Sequence, residues 1–365
     1  FSTIELIVSI SLIALFFLGI LACYQLLIKT VTLNKYRAIA ISIANEEQEK
    51  IKALSYSDVG TIDGYPEGVL NSEESVNRNG IDFLIKREIS FVADPTDGLA
   101  APDDDCPNDY KSVKIEVSWQ GRYPGSFTLA TNIAPPSLQE ECAIKGGVLK
   151  ISVIDANGLA VEGATIEITN LETSSVQNCL SDSVGECLLV LAPGVENYRV
   201  VVSKEGYSQE RTYSREEVAN PSKPDLTISE GQLTEATFSI DKLSSFRVYT
   251  RSTEEQGGQI IPNVEFVLTG SKIIGTDGND QPVYKFKATY QTNADGYVDI
   301  PDLEWDSYTF SVDKETTGLD LISTDPAQPV NLLPDTHQDV TLVLKAENTL
   351  LVSVKDQKTN SPIFA

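Results

Sequence analysis

Residues 6–28 (LIVSISLIALFFLGILACYQLLI) contain no charged side chain. The run has the length, about 20 residues, that a helix needs to cross the apolar part of a bilayer. A helix that is apolar on every side must be buried on every side, in lipid or among other helices. The helical signal continues over residues 29–54, where Leu33, Tyr36, Ala40, Ile43, Ile51 and Leu54 recur at spacings near three and four. One face stays apolar while the other turns polar. A helix over residues 1–54 would be about 80 Å long at the α-helical rise, and only its second half suits a domain of the same chain.

Charge separates this helix from the rest. The 365 residues carry 28 basic and 53 acidic side chains, a formal net charge of -25. Residues 1–54 hold five basic and four acidic groups, so the acidity lies beyond the helix. Such a surface repels nucleic acid and anionic headgroups, and no nucleic-acid partner is expected. The length predicts two to four folded units.

The sequence contains no methionine, so processing ahead of Phe1 is expected, with the apolar run retained rather than removed. The opening Phe1-Ser2-Thr3-Ile4-Glu5-Leu6-Ile7-Val8 resembles the mature start of the type IV pilins and secretion pseudopilins, the prepilin-type N-terminal methylation family. The resemblance implies cleavage before Phe1 by a prepilin peptidase, methylation of the new amine and assembly by inner-membrane pilus machinery. It also implies that Glu5 pairs with the Phe1 amine of a neighbouring copy. The physics agrees, since a lone carboxylate at the head of an uncharged run is costly in lipid or a dry core without a cationic partner. Many members carry a proline near position 22 where this chain has Ala22. Gly19, costing about 1 kcal/mol against alanine in a helix interior, is the weak point expected to melt first.

Beyond Tyr56 short alternating runs take over. Strands are predicted at 81–85, 88–92, 112–119 and 126–130, and Val113, Ile115, Val117 and Trp119 share one face. This segment resembles a pilin head, a small sheet resting on the helix. Ala134-Pro135-Pro136-Ser137 reads as a stiff linker. An internal repeat follows: VLKISVIDANGLAVEGATIEI at 148–168 matches FRVYTRSTEEQGGQIIPNVEFVL at 246–268 and LLVSVKDQKTNSPIFA at 350–365, with Glu162, Pro262 and Pro362 equivalent at a period of 100. The units resemble carboxypeptidase regulatory-like, prealbumin-type sandwiches, which implies architecture rather than catalysis.

The expected fold is therefore an α+β N-terminal pilin, a long helix on a small antiparallel sheet, followed by all-β Ig-like sandwiches in tandem. The expected units are residues 1–54 (helix, with 1–28 the filament-core or transmembrane part), 55–135 (head), 146–243 and 246–346 (sandwich repeats) and 349–365 (the start of a further repeat). The last unit is too short to close a sandwich, so the natural polypeptide is expected to continue past Ala365.

Cys23 lies in the apolar helix and reads as a small packing residue. In an exported protein, Cys106, Cys142, Cys179 and Cys187 allow three connectivities. Proximity favours Cys179–Cys187 across a hairpin and Cys106–Cys142 around the Trp119 strand region. Asp94, Asp97, Asp103, Asp104, Asp105 and Asp109 concentrate six carboxylates in one loop. A solvated acidic loop is the favoured reading and calcium the alternative, without EF-hand order. No other metal or cofactor is expected. His337, the sole histidine, is placed in a turn leading to an outer strand, and without a nucleophile-elbow, Walker or HExxH motif no enzyme is expected.

The expected function is the structural subunit of a type IV pilus-like extracellular filament, anchored in the cytoplasmic membrane before assembly and partnered by copies of itself. The alternatives are a minor or tip adhesin whose repeats bind a surface ligand, and a type II secretion pseudopilin.

Overall fold

The computed structural model describes residues 2–346, apart from residues 63, 97, 102, 105 and 144; for residues 5–9 and 346 it describes the backbone alone. The segment 349–365, and with it the further repeat, lies outside the described residues.

Helix α1, Thr3–Lys52, is continuous. The head strands β1 (Glu73–Arg78), β2 (Ile81–Val92), β3 (Tyr110–Trp119) and β4 (Gly125–Ile133) form an antiparallel meander. Alternation explains how they bury one face: Phe83, Ile85 and Ile89 from β2 and Val113, Ile115 and Val117 from β3 pack against Ala40, Ile43, Ala44 and Ile51 of α1. Trp119 closes this core, edge-on to Tyr36, with its indole N–H donated to the Tyr123 carbonyl at 2.9 Å.

The sequence splits β2 into 81–85 and 88–92, but it is one strand, because Lys86 and Arg87 sit between the two apolar runs without breaking the alternation. It also overlooks β1, although Asn79-Gly80, both at positive φ, is a strong hairpin signal.

The first sandwich comprises β5 (Gly147–Ile154), β6 (Thr165–Asn170), β7 (Val176–Leu180), β8 (Glu186–Leu191), β9 (Gly194–Ser203), β10 (Glu210–Arg211), β11 (Asn220–Pro221), β12 (Leu226–Ile228) and β13 (Leu233–Ser239). The second comprises β14 (Ser244–Ser252), β15 (Glu265–Gly270), β16 (Ile273–Thr276), β17 (Pro282–Tyr284), β18 (Lys287–Gln291), β19 (Tyr297–Leu303), β20 (Asp306–Ser311), β21 (Leu319–Asp325), β22 (Val330–Leu332) and β23 (His337–Ala346). Each opens and closes on a parallel pair, β5 with β13 and β14 with β23, amid antiparallel neighbours. Strand β23 lies between β14 and β21, so His337 begins an inner strand rather than an outer one.

The repeat extends to single hydrogen bonds. Ser181 Oγ accepts from the Ala164 N–H at 2.8 Å, and Thr292 Oγ1 accepts from the Val264 N–H at 3.0 Å. Asp182 and Asn293 then cap matching turns through their side-chain oxygens. Residues 164 and 264 lie 100 apart whereas 181 and 292 lie 111 apart, so the period of 100 fails midway. The second repeat holds 11 more residues there, and they build the β16–β17 hairpin.

The Pro135-Pro136 run leads into a short helix, α2 (Leu138–Glu141), capped by Ser137. The units on either side of it share a sheet. Phe91 of β2 pairs with Val190 of β8, giving the order β13-β5-β8-β2-β3-β4, with β1 on β2.

Candidate assembly surface

Helix α1 has two halves with different surroundings. Every side chain from Ile10 to Val31 is exposed, including Phe16 at 67% and Leu15 at 65%. From Ala40 onward one face is buried by the head sheet. Cys23 stands on the exposed half and packs against no part of the head, because the sheet does not extend that far. Gly19 has nothing within 4 Å of a virtual Cβ. Phe1 lies outside the described residues, and Glu5 is placed by its backbone in the first turns of α1. The helix is long and apolar enough to cross a membrane.

Two buried charges fasten the packed half to the head. Arg87 Nε donates to Glu47 Oε2 at 3.0 Å, and its Nη2 bonds both Glu47 and Glu74. Arg87 and Glu47 are each 4% exposed. Lys111, fully buried, donates to the Tyr56 and Val59 carbonyls at 2.7 and 2.6 Å and lies over the Tyr56 ring. It thereby satisfies the carbonyls where the chain leaves α1. Sequence reasoning did not single out these residues, yet their phase marks them. Arg87 alternates with Phe83, Ile85, Ile89 and Phe91, and Lys111 with Val113, Ile115 and Val117, so both must point inward.

Burial pushes the Lys111 amine down to about 8 from 10.5, opposed by the nearby Asp58 carboxylate. Below pH 8 the amine is charged in both the folded and unfolded states. Between 8 and 10.5 the unfolded chain binds more proton, so this group makes stability rise with pH by about 3 kcal/mol. Denaturant titrations should show that rise until tyrosine ionisation, disfavoured in the fold at Tyr56, opposes it above pH 10. In Lys111→Met the rise should vanish.

The acidic loop uses its carboxylates locally. Asp94 accepts from the Thr96 N–H and hydroxyl, Asp104 from the Cys106 N–H, and Asp109 from the Asp94 N–H. Asp103 is exposed, and Asp97 and Asp105 lie outside the described residues. Among the described residues no three His, Cys, Asp or Glu side chains converge as metal ligands would. Cys106 is bonded to Cys142 and Cys179 to Cys187, with Cα separations of 5.0 and 6.5 Å. The second disulfide joins β7 to β8, strands of the two facing sheets. His337 Nδ1 contacts Ser245 Oγ at 2.8 Å, and its Nε2 lies 3.5 Å from Asp339. Ser245 and His337 are register partners on neighbouring strands, so the contact is a cross-strand pair on an open sheet face.

The Carboxypeptidase regulatory-like domain model matches residues 148–241, the first sandwich. No curated protein matches the sequence. Among solved structures, the Bacillus anthracis TIE protein aligns at 11% identity and a TM-score of 0.23, covering 76% of this chain. This chain spans 56% of that protein's length. GBS52, the minor pilin of Streptococcus agalactiae, aligns at 13% identity and a TM-score of 0.27 over 57% of this chain and 100% of its own. A streptococcal ancillary pilin aligns at 14% identity and a TM-score of 0.25 over 63% and 75%. Likenesses this small carry no argument about what the chain does.

Proposed function

We propose that this chain is the structural subunit of a type IV pilus-like extracellular filament, polymerising through residues 1–28 while its head and sandwiches form the outer surface. One observation carries the reading: a single helix is packed on its own head over one half and, from Ile10 to Ile28 of the other, exposes a predominantly apolar run without a charge. Each large apolar side chain taken out of water contributes roughly 1.5–3 kcal/mol. Fifteen exposed large apolar residues between Ile4 and Val31 therefore favour burial by tens of kcal/mol before ordering costs. Lipid can supply that burial before assembly, and sister helices after it.

The resemblance of Phe1 to Val8 to mature type IV pilins supports the further roles: peptidase cleavage, methylation of Phe1, handling by inner-membrane assembly machinery, and a Glu5–Phe1 pair between neighbours. The role is structural rather than catalytic. The exposed loops on a rigid sandwich scaffold favour a second reading, a minor or tip pilin that binds a surface ligand.

Deleting residues 1–31 tests the assembly claim. The truncated chain should stay monomeric in water and retain the melting transition of its β-domains, while the full chain should form filaments once detergent is removed. Polymerisation of the truncated chain, or failure of the full chain to polymerise, would count against the reading.

A further inference from the structure

The two sandwiches are joined at two places. The first is the connecting segment itself, which is tied back onto the first repeat: the Ser208 N–H donates to the Asp241 carbonyl at 2.7 Å, and the Leu243 N–H to the Gly206 carbonyl at 2.9 Å. The second is the β16–β17 hairpin, the insertion that the first repeat lacks. It does not serve its own sandwich. Its strand β16 pairs with β11 of the preceding repeat, Asn220 with Thr276 and Pro221 with Gly275. The ladder continues as the Ser222 N–H donates to the Ile274 carbonyl at 2.9 Å.

Charges lock the base of this hairpin. Lys285 sits between Glu210 of the first repeat and Glu304 of the second, at 2.8 Å from the latter. Lys223 reaches Glu210 from the first repeat at 3.6 Å, and Lys272 reaches Glu304 from the second at 2.8 Å. The Lys285, Glu210 and Glu304 side chains are only 15–17% exposed, so salt screens the network less than an ordinary surface pair. Lys272 also stacks over Trp305, 3.2 Å from its ring centroid. At Gly275, φ is +150°, and a Cβ would stand 2.3 Å from the Asn220 carbonyl oxygen and 2.8 Å from Pro221 Cα. The close approach of the two repeats therefore needs glycine at this position.

Domains joined by a linker alone move relative to one another by default. A second attachment outside the linker, the β11–β16 ladder with its charge network, removes that freedom. We infer that the β16–β17 hairpin is a clasp that makes the two repeats one stiff body, holding the second repeat at a fixed distance and orientation from the first.

The test is a distance distribution between spin labels at Glu172→Cys and Glu315→Cys, in the full detergent-solubilised chain with Cys23→Ser. The unaltered joint should give one narrow distribution. Gly275→Val, which strikes the neighbouring backbone outside either sandwich core, should broaden it by about twofold or more. Lys285→Glu, which gathers three carboxylates at the joint, should do the same and serves where the glycine variant fails to fold. An unaltered chain that already shows a broad distribution would overturn the inference. So would a folded variant, of either kind, as narrow as the unaltered chain.

Discussion

Glu47→Ala should lower the stability of the head by about 3 kcal/mol and loosen the helix from the sheet. Truncating one partner of a buried ion pair leaves the other charge unneutralised in a dry site, at a cost of about 3–5 kcal/mol. The lower end applies because Arg87 keeps Glu74 and the Asn71 carbonyl. Denaturant melts followed through Trp119 fluorescence would measure the loss. The double variant Glu47→Leu/Arg87→Met should recover most of it, since an apolar pair of similar volume needs no neutralisation. An unchanged midpoint for Glu47→Ala would mean that the pair does not anchor the helix.

Glu5→Ala should leave the folded monomer intact and raise the concentration needed for filament growth on the order of 100-fold. Residue 5 belongs to the first turns of α1, and the head core draws on α1 only from Tyr36 onward, so the head is expected to fold without the acid. In the proposed filament its loss strands a neighbour's amine in an apolar core, a penalty of about 3 kcal/mol per contact. Glu5→Gln, which keeps a hydrogen-bond acceptor, should fall between the two. Sedimentation across a concentration series separates these outcomes from a folding defect, and wild-type growth by Glu5→Ala would remove the acid from any assembly role.

The legible parts of this sequence were those with a strong period. The uncharged run and its amphipathic continuation give α1, Thr3–Lys52, almost end to end, because a bilayer-length apolar run followed by spacings of three and four leaves little ambiguity. The sandwich repeat was visible because its opening strands share one alternating pattern and the strands after Glu162 and Pro262 keep the spacing of 100. It misled only where the second repeat inserts a hairpin, a segment whose partners lie on another unit and leave no local trace. The fusion of head and first sandwich through Phe91 and Val190 was hidden for the same reason: a single pair between strands about 100 residues apart has no sequence period. Arg87 and Lys111 were hidden differently. Their alternation was readable, but the expectation that charges face water outweighed it, and only their partners on α1 and at its exit explain why they do not.

The unpacked half of α1 connects the fold to the proposed function. Evolution of a long helix for packing on its own domain would place polar residues wherever the sheet ends. Here residues 6–28 carry no charge although the head sheet does not reach them, so the helix is suited to a second environment that its own chain does not provide.

Electron cryomicroscopy of filaments grown from the full chain tests this most directly. The account predicts a core built from residues 1–28 of many copies, with each Glu5 carboxylate within hydrogen-bonding reach of a neighbour's Phe1 amine and the β-domains outside. A chain that remains a solitary membrane-embedded monomer, its first residues touching lipid alone, would contradict it.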